Sequence, residues 1–191
     1  LVQTIAGEAS KLERYISNLL DMARVEAGAV RLKVEAVDLV DAVSAALRDL
    51  HHLLDDHAVE VALASDLPLV RADPSLLHHC LINLLDNAGR HSGAGAPIRI
   101  SGREEGGGVA LSIEDKGRGL PDGAAPFDAF DQIEGSDQTG GAGLGLAIVK
   151  AFSEAMGVEP LAARRAGGGA AFTLRFPAGL IIEPANSADA G

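Results

Sequence analysis

The chain has 191 residues and a mass of 19.6 kDa, which suits one medium-sized domain with a short appendage. Hydrophobic residues make up 47% of it and charged residues 23%, which excludes a chain that is disordered throughout. The net charge of −11 argues against nucleic-acid binding, which depends on clustered Lys and Arg. The single cysteine, Cys80, excludes an intramolecular disulfide and a multi-cysteine zinc site. The longest stretches without charged residues, 74–85 and 138–149, are too short for a membrane segment.

Residues 1–28 are predicted to form one long helix with a heptad seam. Apolar residues recur at alternating spacings of three and four, at Val2, Ile5, Ala9, Leu12, Ile16, Leu19 and Ala23. Gly28 then provides a helix stop. A heptad seam favours pairing with a partner helix, so we interpret this segment as one half of a helical hairpin. Because the chain begins at Leu1 and not at a methionine, we expect it to be part of a longer protein.

From residue 29 onward the pattern predicts an α+β domain that ends near Pro177. Strands are predicted at 30–37, 57–63, 69–72, 98–103 and 109–115, followed by two closing strands before Pro177. Helices are predicted at 38–54, 74–90 and 143–156, the first two beginning at Asp38 and at Asp73-Pro74. The Gly-, Pro- and Asp-rich residues 117–141 are predicted to form a long loop, and residues 178–191 a frayed tail.

The helix at 74–90 carries a polar stripe. His79, Asn83, Asn87 and Arg90 lie at i, i+4, i+8 and i+11, which places them on one side. Asn is a poor helix former, so two in mid-helix indicate a role beyond folding, the alternative being contacts with loops or water. Amide oxygens can complete a magnesium shell, and an arginine beside them suits phosphate oxygens.

Two glycine motifs follow the helix. Asp115-x-Gly117-x-Gly119 comes at the end of a predicted strand, and Gly141-x-Gly143-x-Gly145 leads directly into a predicted helix. Glycines at a helix N-terminus let backbone N–H groups approach a phosphate. The second motif is not a P-loop, and it is not a dinucleotide fingerprint because the third required glycine falls on Leu146. Taken alone, it could equally be a flexible linker.

Together these motifs resemble, in order and spacing, the N, G1 and G2 boxes of sensor histidine kinases. Residues 81–88 are similar to the N box, Phe127-Asp128-Ala129-Phe130 is similar to the F box, and residues 18–28 resemble the end of the second dimerisation helix. The resemblance covers nearly the whole chain to Pro177. The amino-acid sequence around 18–28 and 81–92 is most similar to that of the KdpD type of potassium-responsive kinase.

The resemblance implies a fold and a domain organisation. The fold is a two-layer α/β sandwich of the histidine kinase, gyrase and MutL ATPase type, with a mixed sheet under three helices, preceded by a coiled-coil-like helix. Residues 1–28 would be the second helix of the dimerisation domain, whose first helix is expected outside this chain. Residues 29–177 would be the catalytic ATP-binding domain, and residues 178–191 a flexible tail.

The resemblance also implies roles for individual residues. Asn87 would bind Mg²⁺ with support from Asn83, and Arg90, where the family usually has Lys, would contact phosphate. These three would form the catalytic set, while Asp115 would accept a hydrogen bond from the adenine amino group. The other residues expected to hold ATP are Gly117, Gly119, Phe127, Phe130, Gly141, Gly143, Leu144, Gly145 and Leu146. Among them, Gly117 and Gly119 would let the backbone pass the base. Residues 119–141 would form the ATP lid, and Phe127 and Phe130 would pack it down. Ala170 departs from the threonine that the family often has near adenine.

The implied function is transfer of the γ-phosphate of ATP to a histidine, for relay to an aspartate of a response regulator. The implied partners are ATP or ADP with Mg²⁺, the histidine-bearing dimerisation domain, the response regulator and, in the full-length protein, a second copy. None of the histidines at 51, 52, 57, 78, 79 and 91 has the context of the family's acceptor, so we expect the acceptor outside this chain and no self-phosphorylation by the chain alone. The expected location is the cytoplasm, and the full-length protein could be anchored in the inner membrane.

Three alternatives stay open at this stage. The first is a non-catalytic nucleotide-binding regulatory module, which Ala170 and the missing acceptor leave open. The second is an anti-sigma-type serine kinase of the same superfamily, and the third is a gyrase- or MutL-like ATPase. The F box and the heptad helix argue against the last two. The ATPases also use a glutamate where this chain has Asn83.

Overall fold

A computed structural model describes residues 31–121, 126–127 and 145–182 of the chain. The predicted helix at 1–28 and its heptad seam lie outside the described residues. In chain order the elements are β1 (Glu35–Val37), α1 (Leu39–Asp49), α2 (His51–Leu54), β2 (Val59–Leu63), β3 (Leu69–Ala72), α3 (Pro74–His91), β4 (Ile98–Glu105), β5 (Gly108–Glu114), α4 (Gly145–Ala155), β6 (Glu159–Arg164), β7 (Ala170–Phe176), a 3₁₀ helix (Ala178–Leu180) and β8 (Ile181–Ile182).

Aspartate caps fix where the first and third helices begin. Asp38 Oδ1 accepts hydrogen bonds from the backbone N–H groups of Val40 (2.7 Å) and Asp41 (3.3 Å). Asp73 caps α3 in the same way, and Pro74 occupies the first helical turn. The other carboxylate oxygen of Asp73 accepts from the backbone N–H of Lys33 (2.8 Å), so the cap also anchors the chain segment before β1. Both predicted helix starts are confirmed.

The helix predicted from 38 to 54 is divided in two. Leu50 has φ −102° and ψ 8°, which ends α1 at Asp49 and starts the short α2. The backbone N–H of Leu50 still donates to the carbonyl of Ala46 (3.1 Å), so the chain changes direction without losing that bond. Leu50 and Leu54 are buried. Their spacing fits one continuous helix as well as two short ones, so the sequence pattern did not predict the break at Leu50.

The main sheet has five strands in the order β2-β4-β5-β7-β6. β2 runs parallel to β4 and every other pairing is antiparallel, so the sheet is mixed. The apolar residues of α1, α3 and α4 pack on one face of it and form the core, which includes Leu77, Leu81, Leu85, Ile100, Leu111, Ile113, Phe152 and Phe172. The opposite face carries polar residues, among them Ser112 and Thr173, whose hydroxyls are 2.7 Å apart. This arrangement confirms the predicted α+β fold of two layers.

Cys80 lies inside this core on α3. Its Sγ is 3.7 Å from the Ser153 hydroxyl on α4, and burial raises the pKa of the thiol to about 12. The described ranges contain no cluster of three or more His, Cys, Asp or Glu side chains that could hold a metal ion. Among the helices of those ranges, none combines the length and apolar character that a membrane crossing requires.

The prediction of a frayed tail from residue 178 is wrong for its first five residues. The 3₁₀ helix at 178–180 leads into β8, which pairs antiparallel with β3 through Leu69–Ile182 and Val70–Ile181. β3 thereby becomes the centre of a second sheet, β1-β3-β8, and its backbone groups are paired on both sides. A two-residue strand is too short to produce a periodic signal, which is why the pattern missed it.

Removing residues 178–182 should therefore destabilise the domain. We expect a chain that ends at Pro177 to lose about 1–3 kcal/mol of unfolding free energy relative to one that ends at Ile182, because β3 loses its pairing and the core loses Leu180 and Ile181. Urea unfolding of the two shortened chains measures the difference. Identical midpoints would show that β8 does not stabilise the domain.

Candidate functional site

Asp115 is a buried carboxylate at the end of β5. It is 2% exposed, and its backbone N–H donates to the carbonyl of Ala170 on β7 (2.9 Å). Its Oδ1 accepts from the backbone N–H groups of Gly117 (2.7 Å) and Ala170 (3.2 Å). Within the described part of the chain, both hydrogen bonds to the carboxylate thus end on Oδ1. Oδ2 is left as the acceptor that a ligand could use.

Close backbone packing explains the glycines that follow Asp115. A Cβ on Gly117 would collide with the carbonyl oxygen of His91 at the end of α3. Gly119 has a φ of 76°, and a Cβ on it would lie 2.8 Å from the carbonyl oxygen of Gly169. Gly169, with a φ of 89°, would in turn collide with the carbonyl oxygen of Asp115. These glycines make room for protein backbone around Asp115, and the predicted passage of Gly117 and Gly119 beside a base stays a prediction.

A cavity of about 270 Å³ opens at Asp115 and gathers residues from distant parts of the chain. Four of the predicted site residues line it: Asn87, Asp115, Gly119 and Leu146. Leu120, Pro121 and Phe172 add apolar wall, and Ala170 lies beside the carboxylate. A cavity of this size with apolar residues on part of its wall and a fixed buried acceptor suits a heteroaromatic ring that carries an N–H donor. A larger cleft of about 530 Å³ lies between α4 and β6, and its acidic residues Glu154 and Glu159 are exposed to solvent. Because that cleft offers no buried acidic side chain comparable to Asp115, we place the site at Asp115.

The polar stripe of α3 is divided by the structure. Asn87 reaches the cavity, but among the described residues neither Asn83 nor Arg90 lines it. Asn83 is 8% exposed and its Nδ2 donates to the carbonyl of His79 (2.8 Å). Its Oδ1 would be only 3.2 Å from a Cβ on Gly145, so glycine there permits the start of α4 to approach α3. The start of α4 therefore packs against the carboxamide of Asn83, which is hydrogen-bonded within its own helix.

The Arg90 side chain forms an ion pair within its own helix. Its Nε lies 3.0 Å from Asp86 Oδ1, and both side chains are mostly buried, at 17% and 13% exposure. An i, i+4 pair of this kind holds the guanidinium against α3. Contact between Arg90 and a phosphate stays a prediction.

The lid residues are only partly described. Phe127 packs edge-to-face on Phe172, with ring centroids 6.1 Å apart, so it is in contact with the core. Gly145 begins α4 and Leu146 lines the cavity. Phe130, Gly141, Gly143 and Leu144 lie outside the described residues, and their roles stay predictions.

The sequence analysis missed His91, Arg118 and Arg164 on the cavity wall. Burial lowers the pKa of His91 below its ordinary value; Arg118 lowers it further and Asp115 opposes the shift, so the site favours the neutral imidazole. His91 is the i+4 neighbour of Asn87 and so continues the polar stripe. The predicted helix ends at Arg90, one residue short of His91, so the predicted stripe stops there. Arg118 stands between the two glycines of the Asp115-x-Gly117-x-Gly119 motif, whereas no motif or spacing in the sequence indicates Arg164.

Known proteins share both the sequence pattern and this fold. Residues 72–180 match the family described as histidine kinase-, DNA gyrase B- and HSP90-like ATPase. The chain is 38% identical to the sensor protein KdpD of Escherichia coli over 166 residues, covering 86% of this chain and 18% of that protein. It thus spans about one fifth of the length of that relative.

Solved structures support the same assignment. The histidine kinase AdeS of Acinetobacter baumannii superposes with a TM-score of 0.75 at 27% identity, covering 92% of this chain and 82% of that one. Full-length ShkA in complex with AMPPNP gives a TM-score of 0.77 at 29% identity, covering 92% of this chain and 38% of that one. The chain therefore belongs to the histidine kinase-, DNA gyrase B- and HSP90-like ATPases, and it is the ATP-binding domain of a sensor histidine kinase.

Proposed function

We propose that the Asp115 cavity holds the adenine of ATP and that the domain transfers the γ-phosphate to a histidine outside this chain. The observation that supports the proposal most is the buried Asp115 carboxylate, whose Oδ1 accepts from two backbone N–H groups while no other described residue is hydrogen-bonded to Oδ2. Adenine presents an exocyclic amino group, which is the donor that such an acceptor selects. The apolar walls at Leu120, Leu146 and Phe172 would contact the faces and edges of the ring.

Asn87 is proposed as the protein ligand of Mg²⁺. It lines the same cavity as Asp115, and its amide oxygen is a hard donor that Mg²⁺ accepts. Mg²⁺ keeps several waters and binds chiefly through substrate phosphates, so one amide is a sufficient protein contribution. Asn83 would act indirectly, as a polar side chain of the same helix against which the start of α4 packs. The fit of Mg²⁺ to this site therefore rests on Asn87 and on the phosphates themselves.

The triphosphate is proposed to extend from Asn87 toward the start of α4. Glycine at 145 permits close approach there, and the N-terminal end of a helix attracts anions. Gly141, Gly143 and Leu144 would line the triphosphate with backbone N–H groups, and Arg90 would add a positive charge. Phosphoryl transfer depends mostly on positioning and charge neutralisation, which are the two contributions that these groups can make.

The phosphoryl acceptor is proposed to lie on the dimerisation domain of a longer protein. Of the described histidines, His57 bonds the Ala96 carbonyl (3.1 Å) and His78 pairs with Asp49 (3.0 Å), so both have structural partners. In the transfer, the bond between the γ-phosphorus and its bridging oxygen breaks, a bond to an imidazole nitrogen forms, and ADP leaves. We propose that the phosphoryl group then passes to a response-regulator aspartate, that the full-length protein is a homodimer, and that this domain acts in the cytoplasm, where ATP is found.

Substitutions at the two proposed anchors should weaken nucleotide binding. We expect Asp115→Asn and Asn87→Ala each to weaken ATP binding about tenfold or more, equivalent to ~1.4 kcal/mol, when titrated by calorimetry with Mg²⁺ present. Replacing Mg²⁺ by EDTA serves as the control, because it should remove the effect of Asn87→Ala and leave that of Asp115→Asn. Equal affinity for the unmodified chain and both variants would refute the site assignment.

The transfer itself can be tested with a longer version of the protein that carries the upstream histidine. Mixed with this domain and γ-labelled ATP, the longer chain should acquire acid-labile phosphate, as expected of a phosphohistidine. Acid-stable phosphate would instead indicate a serine kinase. Nucleotide binding without any labelled protein would favour a regulatory module.

A further inference from the structure

The Arg165 side chain binds the segment that carries Asp115. Arg165 is the first residue after β6, and its Nη1 donates to the carbonyl oxygen of Asp115 (2.8 Å). Its Nη2 pairs with Glu114 Oε2 (2.9 Å), and the two side chains are only 27% and 23% exposed. One planar guanidinium therefore holds two consecutive residues at the end of β5. Arg165 does not line the cavity within the described ranges, so it reaches the site only through these residues.

The turn after Arg165 is also bonded to Asp115. The backbone N–H of Arg165 donates to the carbonyl of Gly169 (3.0 Å), which closes the turn between β6 and β7. The next residue, Ala170, exchanges hydrogen bonds with Asp115 at both its N–H and its carbonyl group. The main-chain N–H, the carbonyl and one carboxylate oxygen of Asp115 are thus all held by residues 165–170.

The same hairpin contains a matched ion pair that does not touch the site. Arg175 on β7 pairs with Glu159 on β6, with Nη1 and Oε2 also 2.9 Å apart. That pair is more exposed, at 42% and 56%, and within the described residues it forms no hydrogen bond or ion pair with a residue of the cavity. A general contribution of Arg–Glu pairing to hairpin stability can therefore be separated from the specific contact with Asp115.

We propose that Arg165 is a positioning residue for base selection: it fixes the Asp115 backbone so that Oδ2 of the carboxylate stays aimed at the amino group of adenine. The proposal rests on the proposed function, in which Asp115 recognises adenine. Guanine has a carbonyl oxygen where adenine has its amino group, and a fixed carboxylate rejects it because neither oxygen can donate. If Asp115 is free to turn away, that rejection weakens, whereas the contacts to the phosphates do not change. Arg165 therefore controls the preference for ATP over GTP.

The test compares the dissociation constants of ATP and GTP for four forms of the 191-residue chain: unmodified, Arg165→Met, Arg165→Lys and the control Arg175→Met. For Arg165→Met we expect ATP binding to weaken about tenfold with little change for GTP, so that the ATP/GTP preference falls about tenfold. Arg165→Lys should give an intermediate preference, because an ammonium keeps the attraction to Glu114 but cannot hold both partners in one plane. Arg175→Met should leave both dissociation constants unchanged.

The proposal would be overturned if Arg165→Met left the ATP/GTP preference unchanged, whether it weakened the binding of both nucleotides equally or of neither. Such a result indicates a structural role alone. Thermal unfolding of each variant checks its folding. If Arg165→Met does not fold, two other variants test the proposal. Glu114→Gln keeps the bond from Arg165 to Asp115 and should keep the ATP/GTP preference. Arg165→Lys should reduce that preference. Asp115→Asn in the same assay separates the two proposals: if it lowers ATP affinity while the Arg165 variants do not alter the preference, only the role of Arg165 is wrong.

Discussion

The pair of hydrogen bonds on Asp115 Oδ1 is the constraint on which the site depends. They join the end of β5 to the loop at Gly117 and to the start of β7 at Ala170, so three segments converge on one buried oxygen. Burying a carboxylate is costly unless such bonds are made, and making them with backbone N–H groups leaves the second oxygen in a fixed direction. The glycines at 117, 119 and 169 follow from the same requirement, because any side chain there would push these segments apart.

The negative charge of the chain has a consequence for how phosphate is bound. The net charge is −11 and Arg90 is already paired with Asp86, so the fixed positive charge at the cavity comes from Arg118 and Arg164 on its wall. Under the proposed function, Mg²⁺, backbone N–H groups and the helix end at α4 would add to the neutralisation of a triphosphate. The base end of the cavity would supply selectivity through Asp115, and these groups would together supply the affinity for phosphate.

Features of the site that depend on local sequence could be predicted, and features that depend on distant contacts could not. The pair Asp73-Pro74 predicts the start of a helix, and Asn87 and Asp115 belong to short motifs with fixed spacing. In contrast, Arg165 meets Asp115 across 50 residues, and β8 meets β3 across the whole domain. His91 lies between these cases, because its i+4 spacing from Asn87 was present in the sequence but the predicted helix ended one residue too early. Periodicity reports which face of an element is buried, not which distant residue it will contact.

The most direct test of the account is a thermodynamic cycle on the adenine amino group. It compares ATP with the triphosphate of purine riboside, which lacks that amino group, on the unmodified chain and on Asp115→Asn. We expect the unmodified chain to bind ATP about tenfold more tightly than the analogue, and Asp115→Asn to bind the two with nearly equal affinity. Equal affinity of the unmodified chain for both nucleotides would show that Asp115 does not recognise adenine.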